Sequence, residues 1–241
     1  MNRLKYVSVV VVLIVLGGGV AFWNSNNSGQ FAATLAVTPT DPDAALSELH
    51  GGNLRFVNSS RTLSIDTAHD DEFRHLTAKG QHPFATILCC SDSRVCPEFI
   101  FDQRSGSLFE VRNAGNVVDE DVLASLEYAV EHLHVPLIVI LGHKGCGAIE
   151  AVCEAGGKPL HGHLVELQTN MTGIRKQVVE SNHRHDADLV NRLAEENAKQ
   201  QALTILHDSH AIKAAVDRGV ARMVYGIYDM ETGSVEFFDL P

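Results

Sequence analysis

Residues 85–98 read ATILCCSDSRVCPE, and the fold follows from how this stretch is taken. The apolar run Phe84 to Leu88 is short, partly β-branched, and bounded by Pro83 and a polar turn. That is the pattern of a buried strand. It ends in Cys89 and Cys90, followed by Ser91, Asp92, Ser93 and Arg94. Buried parallel strands deliver their C-terminal ends into the crevice where open α/β sheets bind ligands. Cys90, Asp92 and Arg94 are therefore expected at a strand mouth.

A second stretch has the same shape. Residues 137–148, LIVILGHKGCGA, are an apolar strand ending in a Gly-flanked turn with His143 and Cys146. Their i, i+3 spacing lets both side chains address one centre as the turn winds into a helix. Two thiolates, one imidazole and one carboxylate (Cys90, Cys146, His143, Asp92) form a tetrahedral set suited to one Zn²⁺ per chain. Arg94 lies close enough in sequence to grip the Asp92 carboxylate. Either motif alone is weak, because a cysteine at a strand end is ordinarily a small buried hydrophobe. Two of them, each after an apolar strand and about 50 residues apart, fit a strand–helix–strand passage with one extra strand. All four ligands bound at once would close the site; Asp92 is the one that can leave, because Arg94 can hold its carboxylate in a two-pronged pair.

CSDSRV (90–95) followed by GHKGCGA (142–148) closely resembles the β-class carbonic anhydrases. The likeness runs from about Gly52 to Phe238 and includes LFEVRNAGN (108–116), LEYAV (126–130) and VYGIYDMETGSVEF (224–237). The resemblance implies reversible hydration of CO₂ to bicarbonate and a proton, with zinc-bound hydroxide as the nucleophile. Asp92 and Arg94 are then catalytic. Gln81 would face substrate, and Phe109, Ala114 and Tyr128 would line its pocket across a dimer interface. N-terminal helices would pack on the partner of a homodimer or dimer-based oligomer. Some members hold bicarbonate in a regulatory pocket that uses a Trp three residues before the first ligand cysteine. Ile87 stands there, which points to the open, non-allosteric subtype. The same ligands would also suit hydrolysis of CS₂ or COS, or a non-catalytic zinc-stabilised domain, although a structural site has no need of the Asp92–Arg94 pair.

The chain has 241 residues, 45% of them hydrophobic, enough for one sizeable core. Its net charge is −11 with no basic cluster, which argues against nucleic acid as a partner. With zinc on Cys90 and Cys146, three cysteines remain. Cys89 alternates against Cys90 and is expected on the other face, and Cys153 reads as packing. Residues 1–30 stand apart: Arg3 and Lys5 precede the apolar run 6–16, Gly17 to Gly19 break it, and Ala21 offers a small-residue cleavage position. This is either a secretory signal or, over residues 6–23, an uncleaved membrane anchor. Both readings place the domain outside the cytoplasm, in a bacterial periplasm, and touch the membrane only through the N-terminus. Residues 31–40 are a linker and 41–241 the domain.

Within the domain a helix is expected over Asp41 to Val57, with Ala45, Leu46, Leu49, Leu54 and Phe56 as its apolar positions. A shorter helix follows near Glu72 to Ala78, then one over Pro97 to Asp102, a strand over Ser107 to Arg112 and an amphipathic helix over Asp119 to His132. Helices are further expected from Cys146 to about Ala155, over about 163–180 and 187–206, and over Ser209 to Asp217. His183 and His185, between two of these, read as solvated. A strand at 221–228 turns through Asp229 to Gly233 into a last strand, Ser234 to Phe238. The expected class is α/β, a mostly parallel central sheet with an antiparallel edge strand, flanked by helices.

Overall fold

The computed structural model describes residues 38–62, 74–75, 77–155, 158–171, 173, 176 and 189–241. The N-terminal signal or anchor, residues 72, 73 and 76 of the helix expected near Glu72, and the His183/His185 loop lie outside the described residues.

Five strands form one sheet: β1 (Ala85–Cys90), β2 (Leu108–Asn113), β3 (Leu137–His143), β4 (Arg222–Tyr228) and β5 (Val235–Asp239), in the order β2-β1-β3-β4-β5. β2, β1, β3 and β4 pair in parallel, and β5 is the antiparallel edge. The chain goes from β1 outward to β2, then crosses back to β3 on the other side of β1. That reversal opens a crevice beyond the carboxyl ends of β1 and β3, where sheets of this order bind ligands. Both metal motifs begin there. β1 runs through both cysteines, two residues beyond the apolar run that announces it.

Helices that lie wholly within the described residues include α1 (Pro42–Val57), α2 (Pro97–Ile100), α3 (Glu120–Glu131), α4 (Gly147–Glu154), α5 (Leu164–Asn170), α6 (Leu189–Asp208) and α7 (His210–Asp217). Asp41, Asp119 and Ser209 cap α1, α3 and α7, each side-chain oxygen accepting a backbone N–H three residues on. Among the apolar positions assigned to α1, Ala45 and Leu49 are buried but Leu54 is 61% exposed. No helix among the described residues is long and apolar enough to cross a membrane.

Period-two alternation divides the core between the two faces of the sheet. Ile87, Cys89, Leu137, Val139 and Leu141 pack with Ala45 and Leu49 of α1 and with Phe101. Leu88, Ile138 and Ile140 pack on the other face against Leu126 of α3, Ala198, Ala202 and Ile205 of α6, and Ile212 of α7. A third cluster surrounds the crevice, with Cys90, Val117, Cys146, Ile149, Met171, Leu193 and Ala194. Helix α6 crosses β3 closely at Gly142, where a Cβ would lie 3.0 Å from the Ala194 carbonyl oxygen and 2.9 Å from Ile227 Cδ1.

Candidate metal centre

Cys90 ends β1, His143 ends β3, and Cys146 caps α4 one turn later. Their ligand atoms all lie within 4.8 Å of one another, and all three residues are buried. The two sulfurs are 3.9 Å apart. Tetrahedral zinc with Zn–S bonds of about 2.3 Å would place them about 3.8 Å apart.

The imidazole is pre-aligned. His143 Nδ1 lies 2.9 Å from the Lys144 carbonyl oxygen, which can only accept, so Nδ1 carries the proton. The lone pair is then on Nε2, which is buried and has no hydrogen-bond partner. An orphaned basic nitrogen beside two sulfurs is a fit for a cation. Without one, a proton is shared unevenly between the sulfurs. The Cys146 thiol, donating to Cys90, pulls Cys90 well below the ordinary thiol range, with further help from the Gly115 N–H. The same interaction, together with burial, pushes Cys146 up.

Asp92 faces the centre without joining it. Its Oδ2 is 3.9 Å from His143 Nε2. Arg94 holds the carboxylate with two prongs, Nε to Oδ1 at 2.9 Å and Nη2 to Oδ2 at 2.8 Å, and the Arg94 backbone N–H adds a bond to Oδ1 at 3.0 Å. The Arg94 side chain, followed by that backbone N–H, holds the carboxyl far below the ordinary carboxylate range. Asp92 is therefore an ionised, acceptor-only group.

Residues that pattern reading passed over hold the loops. Arg112 Nη2 donates to the carbonyls of Cys90, Asp92 and Val95, at 3.2, 3.1 and 2.6 Å, and so spans the whole first ligand loop. Gly115, at φ +74°, donates its N–H to Cys90 Sγ at 3.3 Å. A side chain there would be strained, and its Cβ would meet Met171 Cε at 2.4 Å. Asn191 accepts the Gly145 N–H at 2.9 Å, fixing the second loop.

Of the four residues that the resemblance assigns to the substrate pocket, the Phe109 and Tyr128 rings lie 6.1 Å apart on β2 and α3. Tyr128 is 46% exposed. Gln81 and Ala114 are also exposed, Gln81 before β1 and Ala114 at the start of the 3₁₀ turn Ala114–Asn116 after β2. Cys89 packs in the opposite core cluster from Cys90, as alternation requires, and Cys153 packs beside the crevice.

Fold and site together define an α/β protein with a Cys₂His centre at the sheet's switch point and a carboxylate–guanidinium pair at its mouth. A family profile described as carbonic anhydrase matches residues 85–235, and the chain belongs to that family, in its β class. Carbonic anhydrase 2 of Mycobacterium tuberculosis is 50% identical over 116 residues, covering 48% of this chain and 55% of that protein. The match thus spans about half the length of that relative. A carbonic anhydrase of Synechocystis is 33% identical over 181 residues, 72% of this chain and 65% of the other. Among solved structures, the β-carbonic anhydrase CcaA superposes with a TM-score of 0.64 at 28% identity, covering 80% of this chain and 95% of CcaA. A tetrameric β-carbonic anhydrase of Sordaria macrospora superposes with a TM-score of 0.65 at 27% identity, covering 71% and 89%.

Proposed function

We propose that the chain is a zinc-dependent enzyme catalysing the reversible hydration of CO₂ to bicarbonate and a proton. The observation that carries this reading is the Asp92–Arg94 pair set beside Cys90, His143 and Cys146. A purely structural site gains nothing from an ionised carboxylate held just outside the ligand set.

Cys90, His143 and Cys146 would hold the zinc, which would supply acidification of water, from a pKa of about 15.7 toward about 7 in the three-histidine carbonic anhydrases and less far with two thiolate donors, so turnover is expected to rise with pH. The remaining work falls to the chain. Asp92 accepts a hydrogen bond from the attacking water and aims its lone pair at the CO₂ carbon. Arg94 keeps Asp92 ionised and out of the ligand set, which supports the open subtype suggested by Ile87. The Lys144 carbonyl holds the proton on His143 Nδ1, and Arg112 fixes the loop that carries Cys90 and Asp92. Phe109 and Tyr128 offer an apolar wall suited to CO₂, with Gln81 and Ala114 proposed beside them.

Stopped-flow CO₂ hydration by the full chain tests this, from about pH 6.5 to 9, before and after chelation and zinc readdition. Zinc-dependent turnover rising with pH supports the reading. A full metal site without CO₂ turnover overturns it and leaves CS₂ or COS hydrolysis, or a structural zinc, to be assayed next.

Two further readings belong here. The basic start and apolar run of residues 1–30 support export to the periplasm, with cleavage or anchoring through residues 6–23; cell fractionation with N-terminal sequencing decides it. The resemblance supports a homodimer or dimer-based oligomer, which light scattering on the purified protein checks.

A further inference from the structure

Helix α6 carries two fully polar side chains in the interior. Asn197 is 0% exposed and Gln201 is 3% exposed, one turn apart on the same face. Neither contributes to the apolar clusters, and the proposed reaction uses neither directly. Their hydrogen bonds form one directed chain. The Val118 N–H donates to Gln201 Oε1 at 2.8 Å. That places Gln201 Nε2 toward Asn197 Oδ1, at 3.1 Å, and toward the Asn170 carbonyl, at 3.3 Å. Asn197 Nδ2 is left to donate to the Gly115 carbonyl, at 2.8 Å. A backbone donor at one end and a backbone acceptor at the other fix the orientation of both amides. The next link is the metal centre, since Gly115 donates its own N–H to Cys90 Sγ.

We propose that Asn197, oriented by Gln201, is a positioning residue of the metal centre, holding Gly115 in the left-handed conformation that aims its N–H at the Cys90 sulfur. An N–H bond to a thiolate draws charge from the sulfur and sets how strongly it donates to a bound cation. Asn197 thus acts on the ligand through one backbone residue. A glycine reaches positive φ without strain but is equally free to leave it, and the Asn197 amide on its carbonyl removes that freedom. The chain of amides couples α6, the 3₁₀ turn and β1, three elements distant in sequence. This inference rests on the metal reading of Cys90, His143 and Cys146.

The test loads the full-length protein with cobalt(II) and records the thiolate-to-cobalt charge-transfer band and the cobalt affinity by chelator competition. The variants are Asn197→Ala, Gln201→Met and, as the structural control, Ile205→Val. Ile205 lies on α6 but packs in the cluster with Leu88, Ile138 and Ile140, not in the one around Cys90 and Cys146. Asn197→Ala is expected to move the band to lower energy, because the sulfur loses a bond that draws charge from it, and to weaken cobalt binding by about 10-fold, because the loss of a fixed turn beside Cys90 outweighs the stronger donation. Gln201→Met should shift both in the same direction by less, and Ile205→Val should shift neither. A band and affinity in the folded Asn197 variant no different from those of Ile205→Val would overturn the proposal. If Asn197→Ala does not fold, Gln201→Met decides on the same criterion. A wild-type protein that takes up no cobalt on thiolate would instead overturn the metal reading itself, so the two failures are distinguishable.

Discussion

Replacing Glu110 by Gln should stabilise the protein, and by more in mild alkali than in mild acid. Glu110 sits in β2, one residue from Phe109 and Val111, with its side chain 17% exposed. Its Oε1 is buried without a partner, and the nearest cationic nitrogen, Arg112 Nη1, is 4.0 Å from Oε2. Burial first, then the neighbouring Glu98 carboxyl, raises its pKa from 4.5 to about 8. The other groups facing it are Arg112, which lowers it, and the cysteines Cys89 and Cys96, themselves pushed up mainly by burial and also by Glu110. A carboxyl whose folded pKa is raised gives stability that is fully present below its unfolded pKa and lost as pH rises toward the folded one. The loss therefore develops between 4.5 and about 8. At about 1.36 kcal/mol per pH unit it would reach about 3.4 kcal/mol at pH 7, and partial solvent screening at the strand edge cuts this to roughly 2 kcal/mol. Gln keeps a donor for Glu98 and never ionises, so it removes the loss. For a protein of this size the gain is a Tm increase of about 4–8 °C near neutral pH, shrinking toward zero near pH 5. Thermal unfolding of the zinc-loaded pair, followed by circular dichroism at constant ionic strength, reads it directly. An increment that is the same at both ends of the range, or of opposite sign in alkali, would refute the argument.

Arg94→Ala should leave zinc stoichiometry intact while lowering CO₂ turnover by about 100-fold or more, because Asp92 loses the grip that keeps it oriented; near-wild-type stopped-flow rates would contradict this. Cys90→Ser and Cys89→Ser should part company: the first loses bound zinc by elemental analysis, whereas the second keeps it and loses about 1–2 kcal/mol of stability to a hydroxyl buried in the α1-side core. Equal zinc loss in both would sink the facing assignment. Gly142→Ala forces a Cβ against the Ala194 carbonyl and should cost about 1–3 kcal/mol in denaturant unfolding, and an unchanged midpoint would mean that α6 is not pinned at that point. Chelation should abolish turnover but leave the far-ultraviolet dichroism nearly unchanged, since the described core clusters close on both sheet faces without the metal; collapse of the helical signal would mean that the centre holds the fold.

The metal loops were legible because their ligands follow uninterrupted apolar runs, and period-two alternation separated Cys89 from Cys90 without any coordinates. The same logic misplaced Leu54, since hydrophobicity says what is cheap to bury, not which face of α1 meets the sheet. It was blind to α6. Nothing in the spacing of LVNRLAEENAKQQALTILHD marks Asn197 and Gln201 for the interior, yet both are buried because loops from other parts of the chain supply their partners. Arg112 was hidden for the same reason: its three acceptors are carbonyls of the first ligand loop, 17 to 22 residues earlier in the chain. Gln81, Phe109, Ala114 and Tyr128 came from family likeness alone. No spacing rule distinguishes Tyr128 from the core positions of α3, although it is exposed.

What the loops need from outside themselves explains this division. Cys90 and His143 are the last ladder residues of parallel strands and Cys146 follows β3 by three residues, where backbone groups lose their sheet partners. Arg112 satisfies the carbonyls after β1, and Asn191 accepts the amide of Gly145 after β3. Asn197 satisfies Gly115, and the Lys144 carbonyl fixes the His143 tautomer. The ligand atoms are thus brought within reach of one another by groups that never touch a metal. Such preorganisation lowers the reorganisation needed on metal binding, and it leaves Asp92 free to be held by Arg94 instead. The polar interior of α6 is therefore the counterpart of the crevice, since a centre at a switch point needs fixed loops, and fixed loops need buried polar partners.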